Sequence, residues 1–191
     1  MSLRFGDGMI WLGIVPFFGL HAMPSLPNVR DRLIGCMGEK RYKGAYSLVA
    51  LIGLILIGIG YTRVDYQELW SSPVWASYLA LAVMPIAFIL QVTAELRGHI
   101  RKKIKHPMTI GVLLWAVVHL VANGDRASLY LFGSFARFSL FSIISSSRRG
   151  KLPSYTTAKS MHDVIAVGIG IVLFAGVLWG HGFLFGVAPT F

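Results

Sequence analysis

The sequence predicts an all-α integral membrane protein, a single bundle of about six transmembrane helices forming one domain over residues 1–191. Three observations lead there. The chain is 55% hydrophobic and 14% charged, with a mean hydropathy of +0.65, which is far from the balance of an ordinary soluble domain. Its apolar residues fall into six runs divided by polar segments bearing Gly and Pro. Its Lys and Arg residues gather in alternate gaps between those runs. Strands do not compete, because alternation with period two is absent and an open sheet would leave backbone groups unpaired in lipid.

The first run, Met9 to Met23, follows Arg4 in the manner of a signal peptide. It leads into HAMPSLPNVR without a clean small-x-small cleavage site, so it is expected to stay as a first helix, with Pro16 able to bend it. The second run covers Tyr46 to Tyr61 and the third Val74 to Thr93. The fourth, Met108 to Ala122, opens at His106-Pro107, where proline suits a first helical turn because the N–H it lacks would have no partner there. Leu129 to Ile144 and Val164 to Phe185 complete the set. Several runs are shorter than the ~20 residues that cross ~30 Å of hydrocarbon, so flanking residues must be recruited or the bilayer thinned.

Charge orients the bundle. Arg30, Arg32, Lys40, Arg41 and Lys43 follow the first run. Arg97, Arg101, Lys102, Lys103 and Lys105 follow the third, and Arg148, Arg149, Lys151 and Lys159 follow the fifth. Only Arg4, Arg63 and Arg126 fall on the other side, and Arg137 lies within the fifth run. Fourteen against three places the basic loops in the cytoplasm and both termini outside it. The net charge of +10 therefore follows from topology, with attraction to anionic lipid as a by-product. It does not indicate nucleic acid, which would need a continuous basic face. The single cysteine, Cys36, excludes an internal disulfide and any thiolate zinc cluster made from this chain alone.

Ionisable groups inside spans usually face the bundle interior or a cavity. His21, His119 and Arg137 are the candidates, with His181 nearer the surface and His99 and His162 at the basic face. His119 shares a helix face with Gly111, Trp115, Ala116, Ala122 and Asn123; His21 has Gly13, Phe17, Phe18 and Pro24 at similar offsets. Two intramembrane histidines on different helices, each beside space for a flat ring, fit axial ligands of a haem. Interhelical hydrogen bonding and close helix packing explain the same residues without a cofactor. If His119 binds iron, its other ring nitrogen needs a hydrogen bond, for which Asn123 one turn away is a candidate relay. Arg137 is expected to point inward, toward hydroxyls, carbonyls, a haem propionate or Asp125.

The stretch HPMTIGVLLWAVVHLVANGDRASLYLFGSF, His106 to Phe135, resembles the signature of NnrU-type membrane proteins: His-Pro, Trp-Ala-x-x-His-Leu, Asn-Gly-Asp and Leu-Phe-Gly. His21 before Pro27 and Arg30, Gly38 before Arg41-Tyr42, and Tyr46-Ser47-Leu48 agree with it, and the similarity is clearest over residues 9–150. The family is named for genes beside nitrite and nitric oxide reductases in denitrifying bacteria and is homologous to the plant 15-cis-zeta-carotene isomerase, a haem b enzyme. The resemblance implies haem b on His21 and His119 in a protein of the bacterial inner membrane, and the helix-face reading adds Trp115, Asn123 and Arg137 as residues around it. It implies a redox-dependent isomerase acting on a lipid-soluble polyene, served by a redox partner. The alternative is a non-enzymatic haem or accessory factor supporting nitrite and nitric oxide reduction. Two positions depart from the family pattern. Ala116 stands where the isomerase has a cysteine three residues before its ligand, and Ser142 stands ahead of Arg148-Arg149 where an aspartate is common.

Overall fold

The computed structural model describes residues 5–150 and 155–187 and is all-helical, with one isolated bridge between Glu68 and Asp125. Arg4 and Lys151, used above for orientation, lie outside the described residues. The helices are α1 (Phe5–His21), α2 (Pro27–Met37), α3 (Glu39–Tyr61), α4 (Trp75–Thr93), α5 (His99–Lys103), α6 (Pro107–Asn123), α7 (Arg126–Arg148) and α8 (Ser160–Phe185). Five stretches, Phe5–Ser25, α3, α4, α7 and α8, are long and apolar enough to cross a membrane; α6 is apolar but has 17 residues, about 26 Å of helix. Large apolar side chains face outward, Trp179 at 93% and Phe183 at 94% exposure, which lipid accommodates and water does not. The chain is an integral membrane protein.

The helices reach beyond the apolar runs because their ends are polar. Helix α3 starts at Glu39, seven residues before Tyr46, after Gly38 at φ 81° and with a Lys43–Glu39 ion pair of 2.8 Å across its first turn. Helix α2 fills a segment that hydropathy leaves blank.

Contacts divide the chain into two compact units. The first takes in the chain up to Trp70 together with Asp125–Ser134. Here α1 lies on α3 around Ile10, Ile14 and Ile57, flanked by Phe17, Phe18 and Tyr61. The approach is close because the crossing residues are glycine. A Cβ on Gly13 would stand 2.6 Å from the Gly53 carbonyl oxygen and from the Ile57 nitrogen, and one on Gly60 would meet the backbone of Ile10. At the end of this unit an ion pair joins buried Asp7, through Oδ1, to an amino group of part-buried Arg126 at 3.4 Å.

The second unit holds Ser71–Gly124 and the chain from Phe135 onward. Helix α4 is its centre and packs against both α6 and α8. Gly111 of α6 fits over Ala87, where an added Cβ would lie 2.9 Å from the carbonyl oxygen; Gly170 of α8 fits over Ile89, 2.7 Å from its Cα. Small residues thus seat both neighbours of α4 against its backbone.

Candidate functional site

His119 lies on the last turn but one of α6, part-buried. The helix brings residues four apart onto one face, and its ring Nδ1–H donates to the Trp115 carbonyl at 2.8 Å. A carbonyl only accepts, so the neutral ring carries its proton on Nδ1 and Nε2 is the lone-pair nitrogen. Trp115 lies 5.6 Å from the His119 ring and meets Phe135 edge-on at 5.3 Å, giving the histidine an aromatic surround.

In the other unit His21 ends α1 and repeats the arrangement. Its Nδ1–H donates to the Phe17 carbonyl at 2.7 Å, and its ring sits 4.3 Å from Phe17 and 5.7 Å from Tyr46 of α3. His181 also donates Nδ1–H, to Val187 at 2.6 Å, but through an exposed bond beyond the end of α8. His106 precedes Pro107 at the start of α6, as expected, and its Nε2 bonds Ser147 Oγ at 3.0 Å. His162 accepts from the Arg97 N–H at 3.2 Å.

Three expectations change. Asn123 is not a relay to the imidazole: its amide nitrogen donates to the backbone carbonyl of His119 at 2.6 Å and so satisfies the end of α6. Gly124 follows in the left-handed region, φ 72°, and Asp125 accepts the Ser128 N–H at 3.0 Å, capping α7. The Asn-Gly-Asp sequence is the stop and start of two consecutive helices. Second, the small residues near the histidines serve packing. Gly111 seats α6 on α4, Ala116 is fully buried, and Gly13 seats α1 on α3, so none of the three leaves room for a ring. Third, Arg137, expected to point inward, is exposed. It stands about 140–160° around α7 from the buried stripe of Phe132 and Ser139, so the helix turns it away from the packed side.

Among the described residues no group of three or more His, Cys, Asp or Glu is arranged to hold a metal ion. The ion pair of Asp7 with Arg126 went unnoticed in the sequence, although an aspartate in the first turn of an apolar helix is a costly residue and could have drawn attention.

A search of curated proteins and a search of solved structures find no match. The family model described as NnrU protein matches residues 9–189, which adds α8 to the region of clearest similarity. With that match over nearly its whole length, the chain belongs to the NnrU protein family.

Proposed function

We propose that this membrane protein binds haem b through His21 and His119 and acts as a redox-dependent, isomerase-like catalyst on a lipid-soluble polyene, as the resemblance to the plant 15-cis-zeta-carotene isomerase implies. One observation carries the reading: both histidines commit Nδ1–H to the carbonyl four residues back, at 2.7 and 2.8 Å, which leaves Nε2 unprotonated as an iron ligand requires. That arrangement also fixes each ring on its own helix, with Phe17 and Tyr46 beside one and Trp115 and Phe135 beside the other. A haem held there would supply a one-electron redox centre. Exposed Arg137 is available to a propionate. The reading includes six crossings with α6 as the short one, both termini outside the cytoplasm, the bacterial inner membrane as location, and an external redox partner.

A second reading, a non-catalytic haem or accessory factor for nitrogen-oxide reduction, is favoured by Ala116. This residue is fully buried and carries no thiol, so the cysteine that the isomerase places three residues before its ligand has no counterpart in this chain. Absorbance spectroscopy of the full chain, purified in detergent after expression with ample haem, tests the shared core of both readings. A low-spin Soret spectrum at one haem per chain is expected, lost in His21→Ala and in His119→Ala and kept in His99→Ala, His162→Ala and His181→Ala. No Soret band, or a wild-type spectrum in His119→Ala, refutes haem ligation and leaves the histidines as helix-packing residues. Activity on a cis-polyene under reducing conditions separates the two readings.

A further inference from the structure

Some of the cationic residues that orient the chain also line a cavity. In the second unit, the segment after α4 and the start of α8 line a half-open cavity of about 840 Å³. Arg97, Arg101, Lys159 and His162 line it, with Thr156 and a single carboxylate, Glu95.

Its frame is built largely by backbone hydrogen bonds, and of its cationic side chains Arg101 also gives one guanidinium N–H to the Leu96 carbonyl at 3.5 Å. The Lys159 N–H donates to the Arg97 carbonyl at 3.0 Å, and the Arg97 N–H donates to His162 Nδ1 at 3.2 Å. Tyr155 Oη donates to the Gly98 carbonyl at 2.6 Å, and the Arg101 guanidinium lies 6.0 Å from the Tyr155 ring centre. Because His162 accepts at Nδ1, its neutral ring carries the proton on Nε2 and is a donor there. Asp163, the acid of α8, is occupied: its two oxygens accept the N–H groups of His99 at 2.8 Å and Ile100 at 3.0 Å.

Three permanent cations and an imidazole donor against one carboxylate repel one another unless an anion joins them. Two guanidiniums and an ammonium complement a phosphate in charge, and a guanidinium fork can pair with two phosphate oxygens at once. We propose that this cavity binds a phosphate-bearing anion. Three of its lining residues, Arg97, Arg101 and Lys159, belong to loops that the positive-inside rule assigns to the cytoplasmic, anionic leaflet. Phosphate of that chemistry comes from a lipid headgroup or from a soluble phosphate compound, and neither source depends on the haem reading.

The full chain, delipidated in detergent, is titrated with inorganic pyrophosphate at constant ionic strength and followed by thermal unfolding. In parallel it is placed in nanodiscs of phosphatidylcholine with and without phosphatidylglycerol, and retained lipid is counted by native mass spectrometry. Arg101→Gln and Lys159→Gln are each expected to weaken binding about tenfold, the loss of one charge-assisted hydrogen bond. Arg32→Gln, in the basic segment of the other unit, is expected to leave it unchanged. Lys159 is exposed and only its backbone serves the frame, so Lys159→Gln keeps the fold if Arg101→Gln does not. Specific retention of phosphatidylglycerol assigns the site to lipid; saturable pyrophosphate binding assigns it to a soluble phosphate. Binding of neither, or equal losses in the two variants and the Arg32→Gln control, overturns the proposal.

Discussion

Replacing Asp7 by Asn is the sharpest test of how the first unit is held together. Asp7 is 5% exposed, and its Oδ1 stands 3.4 Å from Arg126 without a hydrogen-bond partner among the described residues. Removing one member of a buried pair usually costs about 3–5 kcal/mol, because the other charge is left uncompensated. Here Arg126 keeps bonds to Gln67 Oε1 at 3.1 Å and to the Asp65 carbonyl at 3.4 Å, which lowers the expected cost to about 2–3 kcal/mol. For a chain of this length that is a fall of about 4–12 °C in Tm. The assay is thermal unfolding in detergent of wild type, Asp7→Asn, Arg126→Gln and the double variant. Arg126→Gln should cost less than Asp7→Asn, since a stranded carboxylate can take up a proton and a guanidinium cannot lose one. A coupling of about 1 kcal/mol or more is expected from the cycle. Additive effects, or an Asp7→Asn protein that melts with wild type, refute the claim that the pair stabilises this end of α1 and α7.

Gly13→Ala should destabilise by about 1–3 kcal/mol, because its Cβ would press on the α3 backbone 2.6 Å away; an unchanged Tm means that the helices yield. Asn123→Ala should cost about 0.5–1.5 kcal/mol from the lost bond to the His119 carbonyl and leave any haem spectrum as it was; an altered spectrum restores a role for Asn123 at the imidazole. In intact cells an impermeant maleimide should leave exposed Cys36 unlabelled and should label a cysteine placed at Ser71 in a Cys36→Ser background; the reverse pattern inverts the topology.

Apolar runs located the five long helices and α6, because burial in lipid demands continuous apolar length and little else in the sequence mimics it. The same criterion misses polar extensions, so α3 was cut short by seven residues and α7 by three at its start, and α2 escaped entirely. His119 with Trp115 was legible from helical spacing alone. The role of Asn123 was not, since a side chain four residues from a histidine reaches either its ring or its carbonyl, and sequence does not choose between them. Gly111 and Ala116 misled for a related reason: a small residue marks a close approach without saying whether a ring or a helix makes it. The cationic cavity was hidden because its charged residues, 62 positions apart from Arg97 to Lys159, read as topology signals until the fold brought them together.

The bonds of Asp163 to the amides of His99 and Ile100 span 64 and 63 residues of chain. During synthesis the basic loop emerges long before the residue that caps it, and α6 and α7 must be made in the interval. Until α8 arrives, those two amides have only water or headgroups as partners. A chain stopped before Ser160 would therefore lack the carboxylate that closes this loop. Asp163 thus ties the beginning of the last helix to a loop made more than sixty residues earlier.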